Sequence, residues 1–311
     1  MWLAKDNSYK NKKQQELIFA GREEADTSKV VKTGKKEIRF FVQLAAFFAL
    51  NPFLGNYFSG RIHQGSLKGV CLPVLNCYSC PAAATSCPLG SIQNMLAGQV
   101  SRISFLVMGI LFFAAGLLGR WFCGWLCPFG FFQDILGRIS KIKAKIPFSL
   151  TRLKYVVLVL LFLLPLLWVD EAGFASPYFC KFLCPQGTLT AGIPLLLADP
   201  GLRHLIGAMF WFKLASLGII LGASVFVNRP FCRILCPLGA FLGLFNKYAL
   251  FRLSCHEEGC TSCKKCLNVC PVNLKIPEEI NSPECIRCMA CVKECPKTLI
   301  KWDKGTGTVS H

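Results

Sequence analysis

The C-terminal part of the sequence contains eight cysteines in two runs of identical spacing, Cys-x-x-Cys-x-x-Cys-x-x-x-Cys-Pro. The runs are Cys260, Cys263, Cys266 and Cys270, and then Cys285, Cys288, Cys291 and Cys295. At this spacing three thiolates of one run converge on an iron–sulfur cubane, and the fourth serves the other cubane. A zinc ribbon has two Cys pairs separated by a long gap, whereas here three cysteines follow in succession. The spacing therefore predicts two [4Fe–4S] clusters.

The exchange of the fourth thiolate assigns each cysteine to one cluster. The expected ligands of cluster A are Cys260, Cys263, Cys266 and Cys295. The expected ligands of cluster B are Cys285, Cys288, Cys291 and Cys270. Residues 251–301 are therefore predicted to form a small α+β domain of the bacterial two-cluster ferredoxin type, followed by a short tail, 302–311.

A second motif, Phe-Cys-x-x-Leu-Cys-Pro-x-Gly, occurs three times, each time beside an apolar segment. Its cysteine pairs are Cys123/Cys127, Cys180/Cys184 and Cys232/Cys236. One segment long enough to span a membrane separates each copy from the next, so copies one and three share one face. Their four thiolates make a complete set for a third [4Fe–4S] cluster, on the inner face.

Two arginines precede the inner-face copies by three residues each. They are Arg120 and Arg229, in RWFCGWLCP and RPFCRILCP. Both are candidates to offset the negative charge of a thiolate-ligated cluster. Arginines that extend to the membrane interface are the alternative interpretation.

The second copy of the motif, on the outer face, needs partners from elsewhere, and the segment 71–88 offers them. This segment contains Cys71, Cys77, Cys80 and Cys87. Cys77 and Cys80 form the natural chelating pair, while Cys87-Pro88 repeats the Cys-Pro ending of the motif. With Cys180 and Cys184 the candidates number six, and two left over could form a disulfide in an outer compartment. The sequence predicts at least one outer cluster and leaves its ligand set open.

The composition indicates a membrane protein. Of the 311 residues 53% are hydrophobic, and the mean hydropathy is +0.45, which is too apolar for an ordinary soluble domain. Four windows have the length and polarity of spanning helices: Ile38–Phe58, Ile103–Phe122, Leu153–Val169 and Leu205–Val227. We therefore expect an α-helical membrane domain with four transmembrane helices over residues 38–250, preceded by a polar arm, 1–37.

The distribution of basic residues predicts the orientation of the chain. The segments 1–39, 120–154 and 229–311 hold 29 of the 35 Lys and Arg residues. Because positive charge is retained in the cytoplasm, both termini of this multi-pass protein of the inner cell membrane should be cytoplasmic. The net charge of +18 then reflects topology, and a nucleic-acid partner gains no support from it.

Few other residues are candidates for chemistry. Lys213 lies within or at the start of the fourth window, where an ion is either functional or extends towards the interface. His63 and His204, both on the predicted outer side, could serve a quinone. No nucleotide-binding glycine motif is present, so a nicotinamide site is not expected.

Taken together, these motifs resemble the membrane-bound polyferredoxins related to the NapH subunit of periplasmic nitrate reductase systems and the membrane part of NosR. The similarity covers roughly residues 103–296, through the first and third Cys-x-x-x-Cys-Pro copies and the eight C-terminal cysteines. It implies spanning helices, [4Fe–4S] sites and a redox partner on the outer side, such as a flavoprotein, a cytochrome or a terminal reductase. This chain departs from the family by the cysteines of 71–87 and by Cys180/Cys184, which favours electron transfer across the membrane.

These features predict an electron-transfer subunit of an oxidoreductase complex. A cytoplasmic ferredoxin or flavin dehydrogenase would donate electrons, and the chain would pass them through its clusters to the outer partner. No acid–base or nucleophilic site is apparent, so substrate chemistry is expected in a partner subunit. The alternatives are a quinone or quinol oxidoreductase subunit and a redox assembly or regulatory factor. Exposed outer clusters are readily lost to oxygen, so an anaerobic host is expected.

Overall fold

The computed structural model of the chain describes residues 37–97, 105–140, 143–144, 146–168, 175–255 and 260–304. The predicted polar arm up to residue 36 and the tail from residue 305 lie outside the described residues. The start of the second predicted window, 103–104, and the end of the third, residue 169, also lie outside them.

The described chain is mostly helical. Its first half contains α1 (Glu37–Leu50), α2 (Asn56–Ser59), α3 (Pro88–Leu96), α4 (Phe105–Leu118), α5 (Trp121–Trp125), α6 (Pro128–Leu136), α7 (Phe148–Thr151) and α8 (Leu153–Leu167). Its second half contains α9 (Pro185–Gly187), α10 (Ile193–Ala198), α11 (Ala208–Phe226), α12 (Pro230–Ile234), α13 (Pro237–Leu244), β1 (Phe251–Cys255), α14 (Lys265–Asn268), α15 (Ala290–Glu294) and β2 (Ile300–Lys304). Single 3₁₀ turns cover Ser66–Gly69 and Pro200–Leu205, and π-helical turns cover Phe179–Leu183 and Thr188–Gly192.

Two stretches of helix are long and apolar enough to cross a membrane, Phe148–Leu167 and Ala208–Phe226. The windows predicted from the sequence for them are Leu153–Val169 and Leu205–Val227. Pro165 lies within α8, where a spanning helix tolerates it. Only 22% and 17% of the residues in their apolar windows are buried, as expected for helices that face lipid.

The other two predicted spanning helices are shorter than the sequence suggested. Helices α1 and α4 have 14 residues each, which corresponds to about 21 Å at 1.5 Å per residue. Helix α1 ends at Leu50 and not at Phe58, since Asn51 precedes Pro52 and the residue before a proline disfavours helical geometry. Helix α4 ends before Gly119, whose φ of 51° no continuing helix can accept. The described residues thus supply two candidate spans and two shorter apolar helices, so the four predicted transmembrane helices are not confirmed.

The segment that carries the first four cysteines packs into the helical core. Val74 and Leu75 are 1% and 2% exposed and belong to the same apolar cluster as Leu111 of α4 and Phe129 of α6. Helix α3, which follows, contacts both α4 and α8. What the sequence suggested to be a loop on the outer face is therefore largely buried, because its Leu, Val and Ala side chains find apolar partners between the helices.

The C-terminal domain is closed by the antiparallel pair β1–β2, in which Phe251 lies opposite Lys304 and Cys255 opposite Ile300. Between the strands its two halves repeat the same backbone. Three residues of the first half have a left-handed backbone, and so do their counterparts 25 positions later. They are Ser262, Lys264 and Asn273, matched by Arg287, Met289 and Thr298. Ser262 and Lys264 flank Cys263, and Arg287 and Met289 flank Cys288. Asn273 and Thr298 each follow the last cysteine of a run by three positions. Such a conformation wraps the backbone tightly around a bound group.

The C-terminal domain docks through backbone groups on the preceding helical part, residues 37–250, which we call the membrane part because it contains both candidate spans. The Trp125 indole donates to the Arg287 carbonyl over 3.0 Å, and Asn246 donates to the carbonyls of Ser282 and Cys285 over 2.9 and 2.8 Å. In return, the fully buried Arg287 guanidinium donates to the carbonyls of Asn246 and Leu118 over 2.6 and 2.9 Å. Backbone carbonyls of both parts thus find donors across the contact.

A buried ionic network lies in the same contact. Lys154 of α8 forms a short ion pair with Glu284, and the Arg120 guanidinium lies 3.5 Å from the second carboxylate oxygen of Glu284. Arg120 also donates to the Pro283 carbonyl over 2.6 Å. Lys154 and Arg120 are both fully buried, so Glu284 supplies the negative charge that two desolvated cations need.

We expect Gly124→Ala to loosen this contact. A Cβ at Gly124 would overlap the Ile286 carbonyl oxygen, so the C-terminal domain has to move, at a cost of about 1–3 kcal/mol. Hydrogen exchange of the amides around Ile286 should become faster, and the melting temperature in detergent should fall. Gly109→Ala in α4 is the matched control, since a Cβ there meets nothing within 4 Å. Equal exchange in both variants would contradict the docking contact.

Candidate metal centres

Each of the four Cys-Pro-x-Gly sequences in the membrane part begins a helix with its cysteine at the N-cap. The capping residues are Cys87, Cys127, Cys184 and Cys236. Proline suits the first turn because it has no N–H to leave unpaired, and the glycine N–H turns back to the sulfur. For Cys236 this bond, from the Gly239 amide, measures 3.4 Å. Backbone donors at a helix N-terminus stabilise a thiolate, so the motif prepares each cysteine to ligate a metal.

The structure brings the first and third copies of the repeated motif together. The side chain of Cys232 is close enough to those of Cys123 and Cys127 to interact with them electrostatically. Cys236 interacts in the same way with all three. All four side chains are buried and belong to one apolar cluster. The set predicted from the sequence for the inner cluster therefore shares one site, which we call the inner site.

Arg120 and Arg229 hold the two halves of the inner site together by reciprocal hydrogen bonds. Arg120 donates to the Cys232 carbonyl over 2.9 Å, and Arg229 makes a short bond to the Cys123 carbonyl. Each guanidinium also interacts with the charges of the inner cysteines. With exposures of 0% and 1%, neither arginine extends to an interface. Their role beside the inner site is thus the interpretation that the geometry favours.

Asp134 compensates the buried charge of Arg229. The carboxylate accepts from Nε and Nη2 of Arg229 over 2.8 and 2.6 Å, and from Arg39 over 2.6 Å. Although burial acts against it, the charges of the two arginines lower the pKa of Asp134 to about 2. The carboxylate therefore stays ionised at neutral pH and compensates part of the charge of the two arginines.

A second set of four cysteines converges on the other side of the core. The side chain of Cys180 interacts electrostatically with those of Cys77, Cys87 and Cys184. Cys77 and Cys87 each interact with Cys184 in the same way. A Cβ on Gly187 would lie 3.6 Å from the Cys77 sulfur, and one on Gly90 would lie 4.0 Å from the Cys180 sulfur. We call this set the outer site. Its glycines follow Cys-Pro pairs, and each leaves room for the sulfur of a cysteine from the other motif.

Cys71 and Cys80 are occupied by other partners. The Cys80 sulfur lies 3.1 Å from the Tyr57 hydroxyl and 3.8 Å from the Asn51 side-chain oxygen. The Cys71 sulfur lies 3.1 Å from the hydroxyls of both Ser86 and Ser91. Both cysteines are free thiols, so the structure does not pair them as a disulfide. The geometry favours Cys87 over Cys80 as the partner of Cys77, although Cys77-x-x-Cys80 is the closer pair in sequence.

Lys213 is a basic side chain that faces the outer site, and the charge of Lys68 also reaches Cys77. The Lys213 ammonium donates to the Cys180 carbonyl over 3.3 Å, and its charge reaches the Cys77, Cys180 and Cys184 thiolates. The sequence marked Lys213 as an intramembrane ion without a partner, and only the fold supplies one. Of the two other predicted outer candidates, His63 stacks on Phe53 with ring centroids 3.8 Å apart, and His204 is exposed.

In the C-terminal domain, the predicted ligands of cluster B lie around one small cavity. It is lined by Cys270, Cys285, Cys288 and Cys291 together with Ile286 and neighbouring apolar side chains. Burial and the charges of the neighbouring cysteines raise the pKa of Cys285 to about 12, and burial also raises the pKa of Cys270. Such thiols become thiolates only when a cation compensates them.

Three of the predicted ligands of cluster A are close together. The side chain of Cys266 interacts electrostatically with those of Cys260 and Cys263, and the latter two are exposed. The fourth, Cys295, packs on the core of the C-terminal domain directly after α15. The ligand sets of A and B thus differ in depth, with B buried next to the membrane part and A nearer the solvent.

The donor sets fit iron–sulfur cubanes better than single metal ions. Within the described residues, no group of three or more Cys, His, Asp or Glu side chains closes on one point as a single ion requires. A [4Fe–4S] cluster instead takes one thiolate at each of four separated irons. Buried polar atoms around the outer site also lack partners, among them Gln93 Nε2 and Thr188 Oγ1. Unpaired buried donors next to four thiols suit a group that accepts hydrogen bonds.

Family models for iron–sulfur domains match most of the cysteine-bearing chain. A model described as a 4Fe-4S binding domain matches residues 102–147, 155–198 and 209–254, and each match contains one Cys-x-x-x-Cys-Pro pair. A model described as a 4Fe-4S dicluster domain matches residues 252–296, which contain the eight C-terminal cysteines. No solved structure matches the chain.

Several known proteins are similar to this chain. An uncharacterized protein of Methanocaldococcus jannaschii is 33% identical over 228 residues, which cover 70% of this chain and 85% of that protein. The ferredoxin-type protein NapH of Escherichia coli is 22% identical over 85% of this chain and 89% of its own length. The regulatory protein NosR of Stutzerimonas stutzeri is 28% identical over 63% of this chain and 26% of its own length. The chain therefore belongs to the polyferredoxin-like family of 4Fe–4S electron-transport proteins related to NapH and NosR.

Proposed function

We propose that this protein is a transmembrane electron conduit with four [4Fe–4S] sites. In this proposal Cys260, Cys263, Cys266 and Cys295 hold cluster A, and Cys270, Cys285, Cys288 and Cys291 hold cluster B. The inner site, Cys123, Cys127, Cys232 and Cys236, holds a third cluster, and the outer site, Cys77, Cys87, Cys180 and Cys184, holds a fourth. Iron–sulfur clusters carry single electrons, so the arrangement of these ligand sets defines the path.

The observation that carries the proposal is the short connection between the inner and outer sites. The Leu75 amide faces the Cys127 sulfur, and Leu75 and Cys127 belong to the same apolar cluster. Cys77, a ligand of the outer site, follows Leu75 by two residues, which span at most about 7 Å. Both sites thus lie within one core, far closer together than the roughly 30 Å hydrocarbon thickness that electrons have to cross.

The docking contact makes the corresponding connection on the cytoplasmic side. Cys285 of cluster B offers its carbonyl to Asn246, whose side-chain oxygen accepts from the Arg120 amide over 2.9 Å. Ile286 lies against Gly124, the residue after Cys123. Residues adjacent to ligands of B and of the inner site are therefore in van der Waals contact. The order A, B, inner site, outer site follows from these neighbours.

Membrane insertion is supported by the apolar surface of the helices. Large side chains that are more than half exposed occur on all four of the long apolar helices. They are Ile38 and Phe41 of α1, Phe105, Leu106 and Phe113 of α4, Val156, Val159, Leu166 and Leu167 of α8, and Trp211, Phe212, Ile219 and Phe226 of α11. A surface of this kind suits lipid, so we propose that α1 and α4 are embedded beside the two longer spans. The basic segments put both termini in the cytoplasm in this arrangement.

The partners follow from the positions of the end clusters. Cluster A, with exposed Cys260 and Cys263, would accept electrons from a cytoplasmic ferredoxin or flavin dehydrogenase. The outer site would pass them to an extracytoplasmic flavoprotein, cytochrome or reductase within a larger complex. Flow in the opposite sense uses the same contacts.

The ligand assignment predicts the iron content of variants. Four Cys₄ cubanes require about sixteen iron atoms per anaerobically purified chain. We expect Cys77→Ser and Cys87→Ser each to lose about four, because each removes one ligand of the outer site. Cys71→Ser and Cys80→Ser, which change cysteines with other partners, are the matched controls and should retain the full content. A loss of iron in Cys80→Ser with none in Cys87→Ser would contradict this ligand set.

The conduit itself predicts electron transfer across sealed vesicles. We expect external dithionite to reduce ferricyanide trapped inside anaerobic proteoliposomes that contain the protein. Cys180→Ser should abolish this reduction while the electron paramagnetic resonance signals of clusters A and B persist. Cys80→Ser serves as the control and should transfer electrons normally. Undiminished reduction in Cys180→Ser vesicles would show that electrons bypass the outer site, and the conduit proposal would fail.

A further inference from the structure

We propose that Gln93 and Gln133 are equivalent tuning residues, each donating its side-chain amide to a cysteine sulfur of one membrane cluster. Gln133 serves the inner site through Cys232, and Gln93 serves the outer site through Cys180. This inference rests on the proposed function, because it assigns a role towards the clusters that these two sites would hold.

Gln133 shows the complete arrangement. Its Nε2 donates to the Cys232 sulfur over 3.1 Å, and its Oε1 accepts from the Phe231 amide over 3.2 Å. A backbone N–H can only donate, so the atom facing Phe231 is the oxygen and the atom facing the sulfur is the nitrogen. Gln133 is 1% exposed. The donor is therefore held in place and shielded from water.

Gln93 matches Gln133 in the contact of its side-chain oxygen and differs in that of its nitrogen. Its Oε1 accepts from the Cys180 amide over 3.0 Å, which again fixes which end of the side chain is oxygen. Its Nε2 is buried without a partner, and the whole residue is 0% exposed. Gly90, one helical turn earlier on α3, faces the Cys180 sulfur. The unpaired donor therefore lies at the outer site, where cluster or cysteine sulfur is the acceptor available to it.

The sequence pattern relates the two residues. Each glutamine follows the cysteine of a Cys-Pro-x-Gly motif by six positions, Gln93 after Cys87 and Gln133 after Cys127. The motifs at Cys184 and Cys236 have Thr190 and Leu242 instead. Each membrane site combines one motif with glutamine and one without it. Every site thus receives a single glutamine, which donates to the cysteine pair from the opposite half of the chain.

A hydrogen bond to a ligand sulfur has a defined electrochemical effect. A reduced cluster carries one more negative charge than an oxidised one, so an N–H donor stabilises the reduced state more strongly. Hydrogen bonds to the sulfurs are among the factors that set cluster reduction potentials. Loss of either glutamine donor should therefore lower the potential of one cluster and leave the others unchanged.

The test is a redox titration of the full-length protein, monitored by electron paramagnetic resonance, with Gln93→Leu and Gln133→Leu. We expect each variant to shift a different signal to lower potential, by about tenfold in the reduction equilibrium, or about 59 mV for one electron. Ser224→Ala is the control, since it removes a buried hydroxyl that bonds only within α11, to the Ile220 carbonyl. It should shift no potential.

A second pair of variants separates tuning from folding. Gln93→Glu and Gln133→Glu keep an oxygen for the backbone N–H and lose the amide donor, so they should lower the same potentials even where the Leu variants fail to load iron. Full iron content with unmoved potentials in the Glu variants would overturn the glutamine proposal. About twelve iron atoms in the unsubstituted protein would instead refute the four-cluster function, before any potential is measured.

Discussion

The desolvation of clustered cysteine thiolates is the constraint on which the rest of this structure depends. A buried anion is costly unless positive charge or hydrogen-bond donors compensate it, and here eight cysteines lie in two sets within the membrane part. Helix N-termini at the Cys-Pro-x-Gly motifs point backbone N–H groups at the sulfurs. Buried side-chain donors surround them, and bound iron would supply the remaining charge. The helices, turns and arginines are arranged around this requirement.

The two membrane sites meet that requirement in different ways. The inner site has two fully buried arginines, one of which is compensated by Asp134 and the other by Glu284. The outer site has two lysines whose charges reach its cysteines, Lys213 and Lys68, and among the described residues no arginine does so. Because burying an arginine without a counter-ion is costly, each acidic partner is part of the inner site even though it touches no cysteine.

In the contact between the C-terminal domain and the membrane part, buried polar groups are also compensated. Domains joined by small polar contacts usually move relative to each other, and such motion would change the distance between redox centres. Here Gly124 permits backbone to approach backbone, and Asn246 and Arg287 fill the carbonyl acceptors that this approach would leave unpaired. The docking contact therefore fixes the spacing between the cysteines predicted to hold cluster B and those of the inner site.

The sequence by itself determined the cofactor class, the eight ligands predicted for the C-terminal domain and the grouping of Cys123/Cys127 with Cys232/Cys236, because thiolate spacing is a local property that needs no fold. It could not decide between Cys80 and Cys87, since proximity in the chain favoured the former and only packing turns Cys80 towards Tyr57. It also overestimated the length of α1, and it predicted a loop at residues 71–88, whereas Val74 and Leu75 of this segment pack into the helical core. The partners of Lys213, Gln93 and Gln133 come from other helices. Such long-range contacts arise from tertiary packing, which no local pattern encodes.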